Sequence, residues 1–102
     1  MLEVDNEIIE RSIRCYGITA QSVVCMEECS ELIQCVSKMI RGGEDKYHLT
    51  EEMADVLISI ELLKQMYDVS DEELQELVLK KQERLGRRCT QLKELGLSRE
   101  SK

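Results

Sequence analysis

The stretch VVCMEECSELIQCVSKMIRGG, residues 23–43, decides how this chain is expected to fold. Its apolar residues recur three and four positions apart, which is typical of an amphipathic helix. Two adjacent glycines, Gly42 and Gly43, are a strong signal for the end of a helix. We therefore expect a long second helix from about Thr19 to Arg41, followed by a polar connector. On a helical wheel its apolar arc contains Cys25, Cys29, Leu32, Val36, Met39 and Ile40.

Two further amphipathic segments flank this helix in the sequence. A stripe of apolar residues predicts a first helix over residues 4–15. The apolar face of that helix would contain Val4, Ile8, Ile9 and Ile13. Thr50 is a suitable N-cap for a third helix that continues to about Asp68, because acidic residues fill the turn after it. The main apolar face of the third helix would contain Val56, Ile60, Leu63 and Met66.

The fourth segment begins with Ser70-Asp71-Glu72-Glu73, which has the form of a capping box. It predicts a helix to about Gly86 or onward to Leu95, and a polar tail from Ser98 to Lys102 that frays. The chain has no proline and no strand-like alternation, so we expect one all-α domain over residues 1–102, an antiparallel bundle of about four helices. Aromatic residues make up only 3%. Because such a core is thin, we expect homo-oligomerisation to complete it.

Two pairs of acidic residues lie three positions apart on consecutive helices: Glu28 with Glu31, and Glu52 with Asp55. That spacing places both members of a pair on one helix face. Glu28 falls inside the apolar arc of the second helix and Glu31 at its edge, while the other pair falls inside the arc of the third. One such pair is common on exposed helices, but two that intrude on apolar faces need a cation. Oxygen ligands suit Mg²⁺ or Mn²⁺, which in turn implies a phosphorylated ligand.

Composition limits which binding partners and which cellular compartment we expect. The formal net charge of −7 argues against a nucleic acid polymer as the main partner, although a free nucleotide bridged by metal is compatible with it. No apolar run is long enough to span a membrane and the N-terminus resembles no signal peptide, so we expect a cytoplasmic protein. We expect the five cysteines to be reduced thiols that pack the core. Cys25 and Cys29 have a chelating spacing, but His48 is the only histidine and no Cys-x-x-Cys occurs.

The acidic residues also occur in a recognisable order. Glu27-Glu28-Cys29-Ser30-Glu31 is followed about twenty residues later by Glu52-Met53-Ala54-Asp55. This order resembles the signature of MazG-like nucleotide pyrophosphohydrolases, the all-α NTP pyrophosphatases, and the similarity extends from Tyr16 through Arg84. The resemblance implies that the Mg²⁺ ligands are Glu28, Glu31, Glu52 and Asp55.

The resemblance also implies a reaction. A nucleoside triphosphate, including deoxy or non-standard forms, would be hydrolysed between its α- and β-phosphates to a nucleoside monophosphate and pyrophosphate. Water activated by the metal would attack the α-phosphorus, and a carboxylate would take its proton. Glu28 and Glu27 are the catalytic candidates. Glu27 matches the leading acidic position of the motif, where it either acts on the water or is simply solvated.

Four residues are candidates for binding the substrate. Lys81 and Arg84 lie three apart late in the fourth helix and would meet the phosphates, unless they serve the helix dipole or surface ion pairs. Gln21 and Tyr16 precede the acidic motif, where such proteins often build the base pocket, although a tyrosine at a helix junction also packs well. Two other function classes stay open: a non-catalytic helical interaction module and a nucleotide-sensing domain.

Overall fold

The computed structural model describes residues 2–99, which form four helices and no strand, so the all-α prediction is confirmed. The helices are α1 (Asn6–Tyr16), α2 (Ile18–Ile40), α3 (Lys46–Met66) and α4 (Asp71–Glu94). None of these helices is long and apolar enough to cross a membrane.

The chain divides into two compact units, the first with α1 to α3 and the second with α4. The first unit ends at Val69 and the second begins at Ser70. The single domain over 1–102 and its completion by other copies stay predictions. Of the tail expected to fray, residues 98 and 99 have no regular structure and residues 100–102 lie outside the described part.

Helices α2 and α3 form an antiparallel pair. The Ser22 hydroxyl lies 2.6 Å from the Tyr67 hydroxyl, and the Cys25 thiol donates to the Ser59 carbonyl at 3.5 Å. Because the residue number falls along α3 as it rises along α2, the two helices run in opposite directions. The connector between them spans only residues 41–45, which is typical of antiparallel neighbours.

The two glycines end α2 as predicted. The Gly43 N–H donates to the Lys38 carbonyl at 2.9 Å and the Gly42 N–H to the Met39 carbonyl at 3.1 Å, which is the Schellman pattern. Gly42 adopts φ +76°, a left-handed conformation that suits glycine. The chain can therefore reverse direction within a few residues.

The predicted start of α3 was wrong by five residues. The helix begins at Lys46 with Asp45 as its N-cap, and the Asp45 carboxylate accepts the His48 N–H at 2.8 Å. Thr50, the predicted cap, lies inside the helix and its hydroxyl donates to the Lys46 carbonyl at 2.8 Å. Aspartate caps a helix as well as threonine does, so both positions satisfy the same signal and the tight connector selects the earlier one.

The fourth helix begins as predicted and takes the longer of its two predicted extents. The Ser70 hydroxyl accepts the Glu73 N–H at 3.0 Å while the Glu73 carboxylate accepts the Ser70 N–H at 2.9 Å, so the capping box is confirmed. The helix continues past Gly86 to Glu94, with Leu95 as its C-cap.

The core of the first unit is small. Its buried apolar cluster is Ile9, Cys25 and Leu62, with Val4, Ile13 and Met66 packed against it. Ile8, expected on the same stripe, is instead 52% exposed. The prediction for α2 was also wrong in part. Its buried residues are Gln21, Cys25 and Cys35, whereas the predicted core residues Cys29, Val36 and Ile40 are exposed.

The physical reason is that the buried residues are not the most apolar residues of their helices. On α2, apart from half-buried Ser22, the buried and half-buried residues alternate four and three apart: Gln21, Cys25, Glu28, Leu32, Cys35 and Met39. On α3 the buried residues are Glu52, Ser59 and Leu62, whereas the predicted core residues Ile60 and Leu63 are 37% and 36% exposed. Small and polar side chains such as Cys35 and Ser59 thus lie in the seam, the region where α2 and α3 pack together. Apolarity alone misplaces such a seam, because its residues are not the most apolar of the helix.

Candidate functional site

The seam brings together carboxylates from both helices. Asp55 on α3 acts on Glu28 on α2, and the negative charge of Glu31 acts on Glu52. These interactions follow from the antiparallel register, in which the acidic pair of α2 lies across from the pair of α3. Glu52 is only 7% exposed, Glu28 and Asp55 are half-buried, and Glu31 lies at the exposed edge.

The crowding changes the acidity of two of these groups. Burial, then the neighbouring carboxyl group and charge of Asp55, then the charges of Glu31 and Glu52, raise the pKa of Glu28 to about 7. Glu28 therefore holds its proton at a pH where an ordinary carboxyl group has lost it. Burial, followed by the charge of Glu31, also raises the pKa of Glu52. The site thus holds more negative charge than its protein neighbours balance.

The chemistry of this donor set fits a hard divalent cation. All four side chains offer carboxylate oxygens, which are the ligands that Mg²⁺ and Mn²⁺ prefer. Among residues 2–99, however, no three of the four acids bring oxygens within 4.8 Å of one another. Carboxylates repel one another at that range, so the wider spacing is physically expected.

Glu27 lies on the outer side of this arrangement. Its side chain is exposed and lines a shallow groove on α2 together with Glu31 and Gln34. It therefore faces solvent beside the outermost of the four carboxylates. That position is compatible with either of the two roles expected of it, an effect on water at the site or simple solvation.

The two predicted base-binding residues occupy different environments. Gln21 is 7% exposed, and its side-chain amide donates to the Ser12 hydroxyl at 3.0 Å, linking α2 to α1. Tyr16 ends α1 and is 71% exposed, so its ring is available for stacking. Gln21 precedes Glu28 by two turns, about 10 Å along the helix axis.

The two predicted phosphate-binding residues lie on α4, in the second unit. Lys81 and Arg84 are both exposed, and no ion pair joins either of them to another residue of the described range 2–99. Neighbouring cations on the same helix are paired: Lys80 lies 3.4 Å from Glu76, and Arg87 lies 2.7 Å from Glu83.

The structure also shows a group that sequence reasoning missed. Cys35, Glu44 and His48 each place a potential ligand atom within 4.8 Å of the other two. They come from the last turns of α2, the connector and the first turn of α3, so no short motif joins all three. The one signal in the sequence is the i, i+4 spacing of Glu44 and His48, which form an ion pair of 2.7 Å.

The electrostatics of this second group follow from that contact. The hydrogen bond from His48 lowers the pKa of Glu44, and the same bond raises the pKa of His48. Burial, followed by the charges of Glu44 and Glu52, raises the pKa of the Cys35 thiol. The thiol therefore carries its proton at neutral pH.

Comparison with known proteins identifies one family. The model of the MazG nucleotide pyrophosphohydrolase domain family matches residues 19–91, which include Glu28, Glu31, Glu52 and Asp55 as well as Lys81 and Arg84. Tyr16 lies outside the matched range. Neither the comparison with curated proteins nor that with solved structures gives a match.

Proposed function

Because the chain belongs to the MazG nucleotide pyrophosphohydrolase family, we propose that it hydrolyses a nucleoside triphosphate to a nucleoside monophosphate and pyrophosphate in a Mg²⁺-dependent reaction. Deoxynucleotides and non-standard nucleotides are included in the proposal. The observation that carries it is the meeting of carboxylates from α2 and α3 within the matched region, where half-buried Glu28 and Asp55 act on each other.

The proposed metal ligands are Glu28, Glu31, Glu52 and Asp55, with Mn²⁺ able to replace Mg²⁺. The raised pKa values of Glu28 and Glu52 support this assignment, because they indicate negative charge that nearby protein cations do not balance. A bound ion would neutralise phosphate charge and make water a better nucleophile.

The chain's own residues would handle the proton and the substrate. Water attacks the α-phosphorus, the bond to the oxygen bridging to the β-phosphorus breaks, and pyrophosphate leaves with that oxygen. Glu28 is the first candidate to take up the proton of the water. Glu27 would act from the solvent side, either by orienting water or by adding negative charge near Glu31.

The proposed substrate contacts use exposed groups. Lys81 and Arg84 would bind the triphosphate, since their charges are not committed to ion pairs within residues 2–99. Tyr16 would stack on the base. Gln21 would have to exchange its hydrogen bond with Ser12 to reach a base. We also propose a homodimer or homotetramer located in the cytoplasm.

A panel of nucleoside and deoxynucleoside triphosphates incubated with Mg²⁺ tests the proposed reaction. The expected products are pyrophosphate and the matching monophosphate, with no release of single phosphate groups and no turnover when a chelator removes the metal. Release of inorganic phosphate alone would place the cleavage at another bond and overturn the proposal. No turnover of any substrate, with nucleotide still raising the melting temperature, would instead favour a nucleotide sensor.

A further inference from the structure

We propose that Cys35, Glu44 and His48 form a binding site for a divalent transition-metal ion of the zinc class, separate from the carboxylates of the acidic site. The ligand atoms of these three residues lie within 4.8 Å of one another. The inference does not depend on the proposed function, because the second group shares no residue with the four acids.

The donor set determines the class of metal. A thiolate, an imidazole nitrogen and a carboxylate oxygen are the three ligand types that Zn²⁺ takes in proteins. Mg²⁺ prefers oxygen ligands alone and does not compete well for sulfur and nitrogen. Three protein ligands would leave a fourth tetrahedral position for water.

The geometry requires only small movements. Ligand atoms on a tetrahedral Zn²⁺ lie about 3.5 Å apart, given metal–ligand distances of about 2.0 to 2.3 Å. His48 Nδ1 and Glu44 Oε2 are 2.7 Å apart, so this pair would open by less than about 1 Å. The Cys35 sulfur, which lies within 4.8 Å of the other two ligand atoms, would move closer to them. Both changes are within the range of side-chain rotation.

The surroundings favour retention of a cation. Cys35 is only 2% exposed, and the Glu44 side chain is 15% exposed, so a bound ion would be largely shielded from water. The His48 side chain is 43% exposed, which leaves a path from solvent. Binding displaces the thiol proton to solvent and forms the sulfur–metal bond in its place.

The site would join three separate segments of the chain. Cys35 lies in α2, Glu44 in the connector and His48 in α3. A bound ion would therefore hold the ends of the two helices together where only a short connector links them. Because such an ion binds the folded chain in preference to the unfolded one, it would raise the melting temperature.

Cobalt titration of the reduced, metal-depleted full chain, in an excess of Mg²⁺, tests the proposal. We expect one Co²⁺ per chain to give the thiolate-to-cobalt charge-transfer band of a tetrahedral site, and Zn²⁺ to displace it. Cys35→Ser should abolish the band, and His48→Gln should weaken binding by at least about tenfold. His48 is the safer position, since its half-exposed side chain leaves the core untouched.

Two controls keep the result specific. Cys29→Ser removes an exposed thiol from the same helix, and it should leave the band and the stoichiometry unchanged. Asp55→Asn alters the acidic site and should also leave the band unchanged. The proposal is overturned if no stoichiometric binding occurs, if the band survives Cys35→Ser, or if it is lost in either control. None of these outcomes depends on whether the chain hydrolyses nucleotides.

Discussion

Glu28 occupies a position that faces the neighbouring helix, and this placement explains its unusual acidity. It lies on the same face of α2 as Cys25 and Leu32, where an apolar side chain would ordinarily pack. Burial and the carboxyl group of Asp55 together raise its pKa to about 7. Burial of this carboxyl group lowers the stability of the fold, so packing does not account for a glutamate at this position. We propose that Glu28 binds a cation instead.

The stability of the metal-free protein should depend on the protonation of Glu28. Its pKa is ordinarily 4.5 and is about 7 in the folded chain, so between these values the folded chain holds a proton that the unfolded chain has released. The free energy of unfolding therefore decreases as pH rises from about 4.5 to about 7. Glu28→Gln removes this contribution, so its melting temperature should change less between about pH 5 and about pH 8.

Glu27→Gln is the matched control for that experiment. It makes the same change of charge at the adjacent, exposed position. Its pH dependence should stay close to that of the unmodified chain. A Glu28→Gln variant with an unaltered pH dependence would contradict the raised pKa of Glu28.

The exposed cations of α4 should affect substrate binding more than turnover. Replacing Lys81 or Arg84 by alanine should raise KM by about tenfold, because each loses a charge-assisted contact with phosphate. Lys80→Ala is the control, since Lys80 already pairs with Glu76 at 3.4 Å. Steady-state kinetics on the preferred nucleotide measures the effect. Equal KM values for all three variants would exclude the two residues from the phosphate site.

The sequence was a good guide to the acidic residues and a poor guide to their surroundings. Spacing predicts that Glu28 and Glu52 lie on apolar faces, and both are indeed partly or fully buried. Spacing does not give the distance between two helices. It therefore predicts only that Glu31 lies at the edge of the apolar arc, and in the structure that side chain is exposed. The grouping of Cys35 with His48 depends on how two helices meet across a connector, which no local pattern records.

The connector between α2 and α3 is the element that sets the register of the acidic site. Gly42 has φ +76°, and alanine in this left-handed conformation costs about 1 kcal/mol. Gly42→Ala should therefore lower the free energy of unfolding by about that amount. Urea denaturation followed by circular dichroism measures it.

Gly43→Ala provides the matched comparison one residue later. Gly43 has no positive φ, and a Cβ atom there would meet only the Lys38 carbonyl at 3.9 Å, an ordinary contact. Its stability should stay close to that of the unmodified chain. If the two variants lose stability equally, the conformation assigned to Gly42 is wrong.

Helix ends that carry strong local sequence signals were predictable, whereas the buried faces of the helices were not. The glycine pair and the capping box of Ser70 placed two ends correctly, because each is a local arrangement of backbone groups. The prediction for the start of α3 was wrong because Asp45 and Thr50 are both suitable N-caps. The buried face of α2 was mispredicted because Gln21, which bonds to Ser12 of α1, and the small Cys35 are buried in place of larger apolar residues.

Across the whole molecule, the described surface carries many large apolar side chains. Met26 and Ile33 on α2 are each 70% exposed, and Ile40 is 83% exposed. Burial of such side chains between copies of the chain would add the hydrophobic stabilisation that the small core supplies only in part. We therefore predict a homo-oligomer.

Light scattering coupled to size exclusion measures the assembly directly. The expected mass is two or four times the chain mass of 11.8 kDa. The assembly should dissociate only when the protein is diluted to a low concentration, because its stability depends on the concentration of chains. A mass of one chain at every concentration would contradict the prediction.

We propose that carboxylates from α2 and α3 jointly serve one metal-dependent hydrolysis of a nucleotide. The decisive measurement is the rate of pyrophosphate release by Glu28→Gln and Asp55→Asn, compared with that by Glu51→Gln. Glu51 is exposed and adjacent to Glu52, so its variant makes the same change of charge beside the site. The first two variants should lose at least about 100-fold in rate while keeping their helical content, and the third should stay close to full activity. Full activity of both Glu28→Gln and Asp55→Asn would contradict the claim.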